Sequence, residues 1–155
     1  MKLYLVRHGD YFPKDIDPQC SLSEKGIQDI QRIAHFLLPL DLSLSHLFHS
    51  GKTRAQQTAE IISQGIRWHG VVETRTGLDP NDSVIPIASE MNQASSDVML
   101  VGHMPFMGCL ASKLLVNDEN INTVIFRMGS VVCLERAERY GWSLSWVIYP
   151  ELLLE

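Results

Sequence analysis

Leu3-Tyr4-Leu5-Val6-Arg7-His8-Gly9 is an apolar run that ends on an arginine, a histidine and a glycine, the build of a first strand with reactive side chains at its carboxyl end. In open α/β sheets, ligands bind in the crevice beyond the carboxyl ends of the strands, where loops and helix N-termini converge. His8 is therefore a candidate nucleophile. Val98-Met99-Leu100-Val101 followed by Gly102-His103-Met104-Pro105 has the same build later in the chain, and two strand-end histidines are harder to dismiss than one.

Working outward, the segments alternate. Ser23 is a candidate N-cap for a helix whose Ile27, Ile30, Ile33, Ala34, Leu37 and Leu38 recur at three- and four-residue spacing, with Pro39 closing it. A strand over 44–48 leads through Ser50-Gly51 into a helix over 53–64, ended by Gly65. A short strand near 71–74 precedes the polar loop 77–83, whose Pro, Asn and Asp residues form turns and often border a site. A helix over 84–93, a strand over 97–101 and a helix over 106–115 follow, with Pro105 in the first turn of the last. Residues 123–135 and 142–149 read as two strands forming an antiparallel hairpin at one sheet edge. This alternation predicts a three-layer α/β/α sandwich with a mostly parallel sheet, as one domain over residues 1–155.

Composition narrows the function. With 155 residues the chain can bury a sizeable core without staples. A formal net charge of −5 argues against nucleic acid as the partner, so any anion site must be a local concentration of positive charge. The three cysteines, Cys20, Cys109 and Cys133, form no C-x-x-C pair and are expected to be reduced, mostly buried thiols. No signal-peptide pattern or membrane-length apolar run is visible, which predicts a cytoplasmic protein without a membrane partner.

Arg54 falls in the first turn of the second helix, where a cation is electrostatically unfavourable unless an anion lies nearby. If that turn faces the same crevice, two arginines and two histidines outline a phosphate pocket. Phosphoryl transfer asks mainly for positioning and charge balance on the equatorial oxygens, a role that suits Arg7, Arg54 and His103. His8 would attack phosphorus through a neutral ring nitrogen, helped by arginine charges that disfavour its protonated form. Water would then hydrolyse the phosphohistidine. The arginines supply the charge that magnesium supplies elsewhere, so neither a metal nor another cofactor is expected.

Arg7-His8-Gly9-Asp10, Arg54-Ala55-Gln56-Gln57-Thr58 and Gly102-His103-Met104-Pro105, in that order, resemble the histidine phosphatase superfamily, whose fold is phosphoglycerate mutase-like. The short chain, Leu22-Ser23-Glu24-Lys25-Gly26 and the His-x-Pro turn look most like its SixA-type phosphohistidine phosphatases. That resemblance implies that His8 accepts the phosphoryl group while Arg7, Arg54 and His103 bind it. The partner it implies is a phosphorylated protein or a small phosphorylated substrate.

One departure stands out. Many superfamily members carry a glutamate in a Leu-x-Glu motif as proton donor to the leaving group, whereas the corresponding stretch here is Leu78-Asp79-Pro80. Asp79 or Asp82 is the candidate substitute. A phosphomonoester releases a basic alkoxide and profits from proton donation, but a protonated phosphoramidate releases a neutral imidazole. The gap therefore favours phosphohistidine. Two alternatives remain open: a small-molecule phosphomonoesterase of the same superfamily, and a module that binds phosphoryl groups without turning them over.

The other polar candidates have plainer readings. Ser50 is expected to touch phosphate or to cap the turn, and Asp10 to orient the loop or to act directly in catalysis. His46 and His49 would point to opposite faces of a strand with no third ligand near, so no metal site is expected. His35 and His69 are expected at the surface. Trp68, Trp142 and Trp146 read as packing residues, and Met104 and Met107 as packing or lining the entrance.

Overall fold

The computed structural model describes residues 1–154. Its centre is a six-stranded sheet in the order β3-β2-β4-β1-β5-β6. The strands are β1 (Lys2–Arg7), β2 (Leu44–His49), β3 (Val72–Thr74), β4 (Asp97–Gly102), β5 (Val131–Ala137) and β6 (Gly141–Ile148). β1, β2, β3 and β4 run parallel, β4 pairing with both β1 and β2, while β5 joins β1 antiparallel and β6 closes the edge as a hairpin with β5. The sheet is thus mostly parallel with an antiparallel edge, as the sequence predicts.

The helices are α1 (Glu24–Leu37), α2 (Thr53–Gly65), α3 (Ile85–Gln93) and α4 (Phe106–Val116). Successive side chains of a strand point to opposite faces, so a strand buried on both faces is apolar throughout. Leu3, Leu5, Val98 and Leu100 pack with Ile87, Met91, Leu110 and Leu114 of α3 and α4. Their neighbours Tyr4, Val6, Met99 and Val101 pack with Ile30, Ile33, Leu37, Ala59 and Ile62 of α1 and α2. Each fully buried side chain of this size stabilises the fold by roughly 1.5–3 kcal/mol. Ser23 caps α1, its hydroxyl accepting from the amide of Gly26. Pro39 lies in a 3-10 turn, Leu38–Leu40, that ends the helix at Leu37. The three layers follow the expected order, with bounds, those of β5 apart, within a residue or two of the ranges read from the sequence.

The long strand read over 123–135 is a correction. Only Val131–Ala137 pairs in the sheet, and residues 123–130 form a loop. Val124 and Phe126 satisfy an alternating apolar pattern because they are buried in the core beneath α4, not because they join a ladder. Gly129, at φ +79°, and the Ser130 hydroxyl, which donates to the Arg127 carbonyl at 2.7 Å, turn the chain before β5 begins. The cysteines also depart from expectation: Cys133 is buried, but Cys20 and Cys109 are only half-buried, and all three are free thiols. No helix among the described residues is long and apolar enough to cross a membrane.

Candidate active site

β1 and β4 are neighbours with Arg7 in register with Gly102, so His8 and His103 leave adjacent parallel strands at the same level. The His8 amide donates to the Gly102 carbonyl at 3.0 Å, and the ring centroids lie 5.0 Å apart. β2, on the other side of β4, delivers the N-terminus of α2 and with it Arg54. Three parallel strand ends therefore bring together residues 7, 8, 54 and 103.

Local contacts fix the first turn. The Gly9 amide donates to the Thr58 hydroxyl at 3.1 Å, which itself donates to the Arg54 carbonyl at 2.8 Å. Gln57, one residue earlier on the same helix, accepts from the Leu22 amide at 2.7 Å. Arg54, Gln57 and Thr58 share a helix face because residues three and four apart are neighbours there. Asp10 holds the turn from the other side: its carbonyl accepts from the Ser23 amide, and its carboxylate accepts from the Ser23 hydroxyl. Gly26 permits that approach, since a Cβ there would stand 2.0 Å from the Asp10 carbonyl oxygen. Asp10 thus ties the turn to the α1 N-terminus, which is the orienting role of the two read for it from the sequence.

His8 is 4% exposed, and its Nδ1 lies 2.8 Å from the Gly9 carbonyl oxygen. A carbonyl only accepts, so Nδ1 carries the hydrogen and the neutral ring keeps its lone pair on Nε2. Burial pushes the His8 pKa down to about 4 against the pull of that hydrogen bond, and Arg54 and Arg7 lower it further. His103 is 2% exposed, its Nε2 2.6 Å from the Ser50 hydroxyl and its Nδ1 buried without a partner. Burial, then the neighbouring charges of His8, Arg54, Lys52 and Arg7, holds its pKa at about 3. Both imidazoles are neutral near pH 7.

Arg7 donates from one terminal nitrogen to the Phe126 carbonyl at 3.0 Å, and burial lowers its pKa from the ordinary value. Arg54 places its guanidinium 4.7 Å above the Tyr11 ring, and Tyr11 meets His8 edge-on at 5.1 Å. The Nε atoms of both arginines are buried and unpartnered. The two arginines line an open depression of about 620 Å³ with Asp10, Tyr11, Lys14, Cys20 and Met128. Another depression of about 600 Å³, between α1 and Leu153-Leu154, has no comparable convergence of charge.

The loop carboxylates contact Lys52 and their own turn. Leu78 is buried with its carbonyl beside Gly102. Asp79 faces outward, 3.9 Å from the Lys52 ammonium with its side chain 56% exposed. Asp82 accepts from the Asp79 amide at 2.9 Å and so caps the turn. The histidines on β2 have unlike surroundings. His46 is exposed and stacks on Phe48, while His49 is buried and accepts from the Gly51 amide at 3.1 Å. His35 and His69 are exposed as expected. Tyr11, Lys52, Thr58 and the Phe126 carbonyl are the contributors the sequence did not single out. Thr58 alone left a trace, four residues after Arg54 in a helix.

An α/β sheet whose parallel strand ends gather two neutral imidazoles and two guanidiniums defines a phosphoric-group hydrolase of phosphoglycerate mutase-like fold. The profile of the histidine phosphatase superfamily (branch 1) matches residues 3–80, and the chain belongs to that family. It is 20% identical over 155 residues to the phosphohistidine phosphatase SixA of Escherichia coli K12, covering 97% of this chain and 94% of that protein. Among solved structures it is similar to the protein histidine phosphatase SixA complexed with tungstate, with a TM-score of 0.87, 19% identity and coverage of 99% of this chain and 100% of that one. A putative phosphohistidine phosphatase SixA from Agrobacterium tumefaciens aligns with a TM-score of 0.76 at 19% identity, covering 96% and 97% of the two chains.

Proposed function

We propose that this protein is a metal-independent phosphatase that works through a covalent phosphohistidine on His8, and that its substrate is phosphohistidine in a protein. One observation carries the reading: Nδ1 of His8 is committed to the Gly9 carbonyl, so a neutral ring offers Nε2 beside His103, Arg7 and Arg54. In the first step the Nε2 lone pair forms an N–P bond as the bond from phosphorus to the leaving group breaks. Arg7, Arg54 and His103 hold the three phosphoryl oxygens, and the guanidiniums supply the balancing charge. In the second step water attacks phosphorus, a proton is lost to solvent, and Nε2 leaves with its electron pair.

The names of the SixA relatives favour a phosphohistidine substrate. Pro80, standing where many relatives carry the acid, favours it too, because a protonated phosphohistidine leaves as a neutral imidazole. The wide mouth between Tyr11, Lys14 and Met128 suits a protein surface carrying the phosphoryl group. This reading takes residues 1–155 as one catalytic domain and places it in the cytoplasm, where three free thiols stay reduced.

His8→Ala should lower turnover of a phosphohistidine peptide by about 10³-fold or more and remove acid-labile phosphate labelling. Retained turnover or labelling overturns the assignment. Wild-type protein that binds phosphate but releases none from any substrate would mark a binding module instead.

A further inference from the structure

We propose that Ser50 is a positioning residue that sets the tautomer of His103: its hydroxyl donates to Nε2, so that Nδ1 carries the hydrogen and offers it to an oxygen of the bound phosphoryl group. This rests on the phosphoryl-binding reading of the site. The hydroxyl lies 2.6 Å from Nε2, and Ser50 stands at the turn between β2 and α2, far from His103 in sequence.

Hydrogen bookkeeping gives the direction. The Ser50 oxygen already accepts, at 3.4 Å, from the Lys52 amide, and its one hydrogen has Nε2 as the acceptor within reach. The neighbouring Gly51 amide is taken by His49. A ring nitrogen that accepts is unprotonated, so neutral His103 must carry its hydrogen on Nδ1. Nδ1 is buried without a partner, as are the Nε–H groups of Arg7 and Arg54; a fourth such atom, Arg32 Nε, lies away on α1. Leaving a buried polar group unpaired is costly. Arg7 and Arg54 line the depression, and the His103 ring lies 5.0 Å from that of His8 within reach of both arginine charges, so three unanswered donors stand close enough for one oxyanion with three oxygens to answer them together. In the opposite tautomer, the Nδ1 lone pair would face phosphoryl oxygens and repel them.

A hydroxyl can also turn and accept. If the ring gains a proton as the dianion binds, Ser50 accepts from Nε2–H and neither ring nitrogen is stranded.

The test reads the free protein before any turnover. Long-range proton–nitrogen spectra of ¹⁵N-labelled protein near neutral pH, assigned with a His103→Gln variant, should show hydrogen on Nδ1 and none on Nε2. Ser50→Ala should shift the ring towards Nε2–H and weaken tungstate binding by about tenfold. Ser50→Thr, which keeps the hydroxyl, should restore the wild-type tautomer and hold affinity within about threefold of wild type. Melting curves establish that each variant is folded. A wild-type Nε2–H ring overturns the proposal, as does an Ala variant with unchanged tautomer and affinity, or a folded Thr variant that behaves like Ala. A His8→Ala variant that still turns over would sink the covalent reading, yet the ring spectra would still decide the role of Ser50.

Discussion

His8 and His103 look interchangeable in sequence, each ending an apolar strand, and they emerge side by side from β1 and β4 with ring centroids 5.0 Å apart. Their hydrogen bonds differ. His8 commits Nδ1 to its neighbouring backbone carbonyl and keeps Nε2 free, whereas His103 commits Nε2 to a distant serine and keeps Nδ1. Which nitrogen is tied decides whether an imidazole presents a lone pair or a hydrogen. On the function proposed above, equal surroundings support unequal roles, nucleophile in one and oxyanion donor in the other.

The sharpest attempt to break this asymmetry removes the second ring. A donor to the transition state contributes about 10²–10³-fold to the rate. His103→Ala should therefore lower kcat by that much while acid-labile phosphate still forms on His8, more slowly. Rapid-quench labelling measures both quantities. If His103→Ala abolishes labelling as completely as His8→Ala, or if the label sits on residue 103, the roles have been assigned to the wrong rings.

A smaller effect concerns what the two rings share. Burial holds His8 at about 4 and His103 at about 3, against an ordinary value of 6.5 in the unfolded chain. Between those values the unfolded chain binds more protons than the folded one, so stability rises with pH across the window. The contribution is complete above about 6.5 and drains away as pH falls, towards 4 for His8 and towards 3 for His103. Melting temperature should fall over that interval, and His8→Asn or His103→Asn should each flatten the slope by about half, because each ring accounts for one of the two protons that separate the folded and unfolded chains. A slope untouched by either substitution would mean that these rings are not the groups held neutral.

The legible parts of the molecule were those in which neighbours in sequence are neighbours in space. Ser23 capping α1 and the three-four spacing from Ile27 to Leu37 were of that kind, and so were the apolar runs of β1 and β4. The hidden parts were long-range pairings between a side chain and an unremarkable backbone group. Arg7 finds the carbonyl of Phe126, and Gly9 finds the hydroxyl of Thr58. No local pattern announces the first, and the second shows only as a threonine four residues after Arg54. The same blindness extended β5 backwards over 123–130, because Val124 and Phe126 alternate apolar whether the chain pairs in a sheet or merely packs under one. Tyr11 escaped for a related reason: it is exposed, and its position over Arg54 and against His8 exists only once β1, α2 and the loop between β1 and α1 have assembled.

The smallest expected effect tests whether the asymmetry of the two rings is enough for the leaving group. Carboxyl groups that serve as strong general acids near neutral pH sit in apolar surroundings away from cations. Asp79 has the opposite setting, more than half exposed with Lys52 3.9 Å away, and Asp82 is occupied in capping its turn. Proton donation from this loop should then matter little to a leaving group that departs already neutral. Asp79→Asn should change kcat/KM on a phosphohistidine peptide by less than about threefold, and wild-type protein should prefer that peptide to an alkyl phosphate, whose alkoxide needs an acid. Steady-state assays on the two substrates measure both. A loss of about 10²-fold on the peptide would make Asp79 a true acid and show that the leaving group takes its proton from the loop. Preference for the ester would remove the link between Pro80 and a phosphohistidine substrate, leaving His8 as nucleophile but for another class of phosphate.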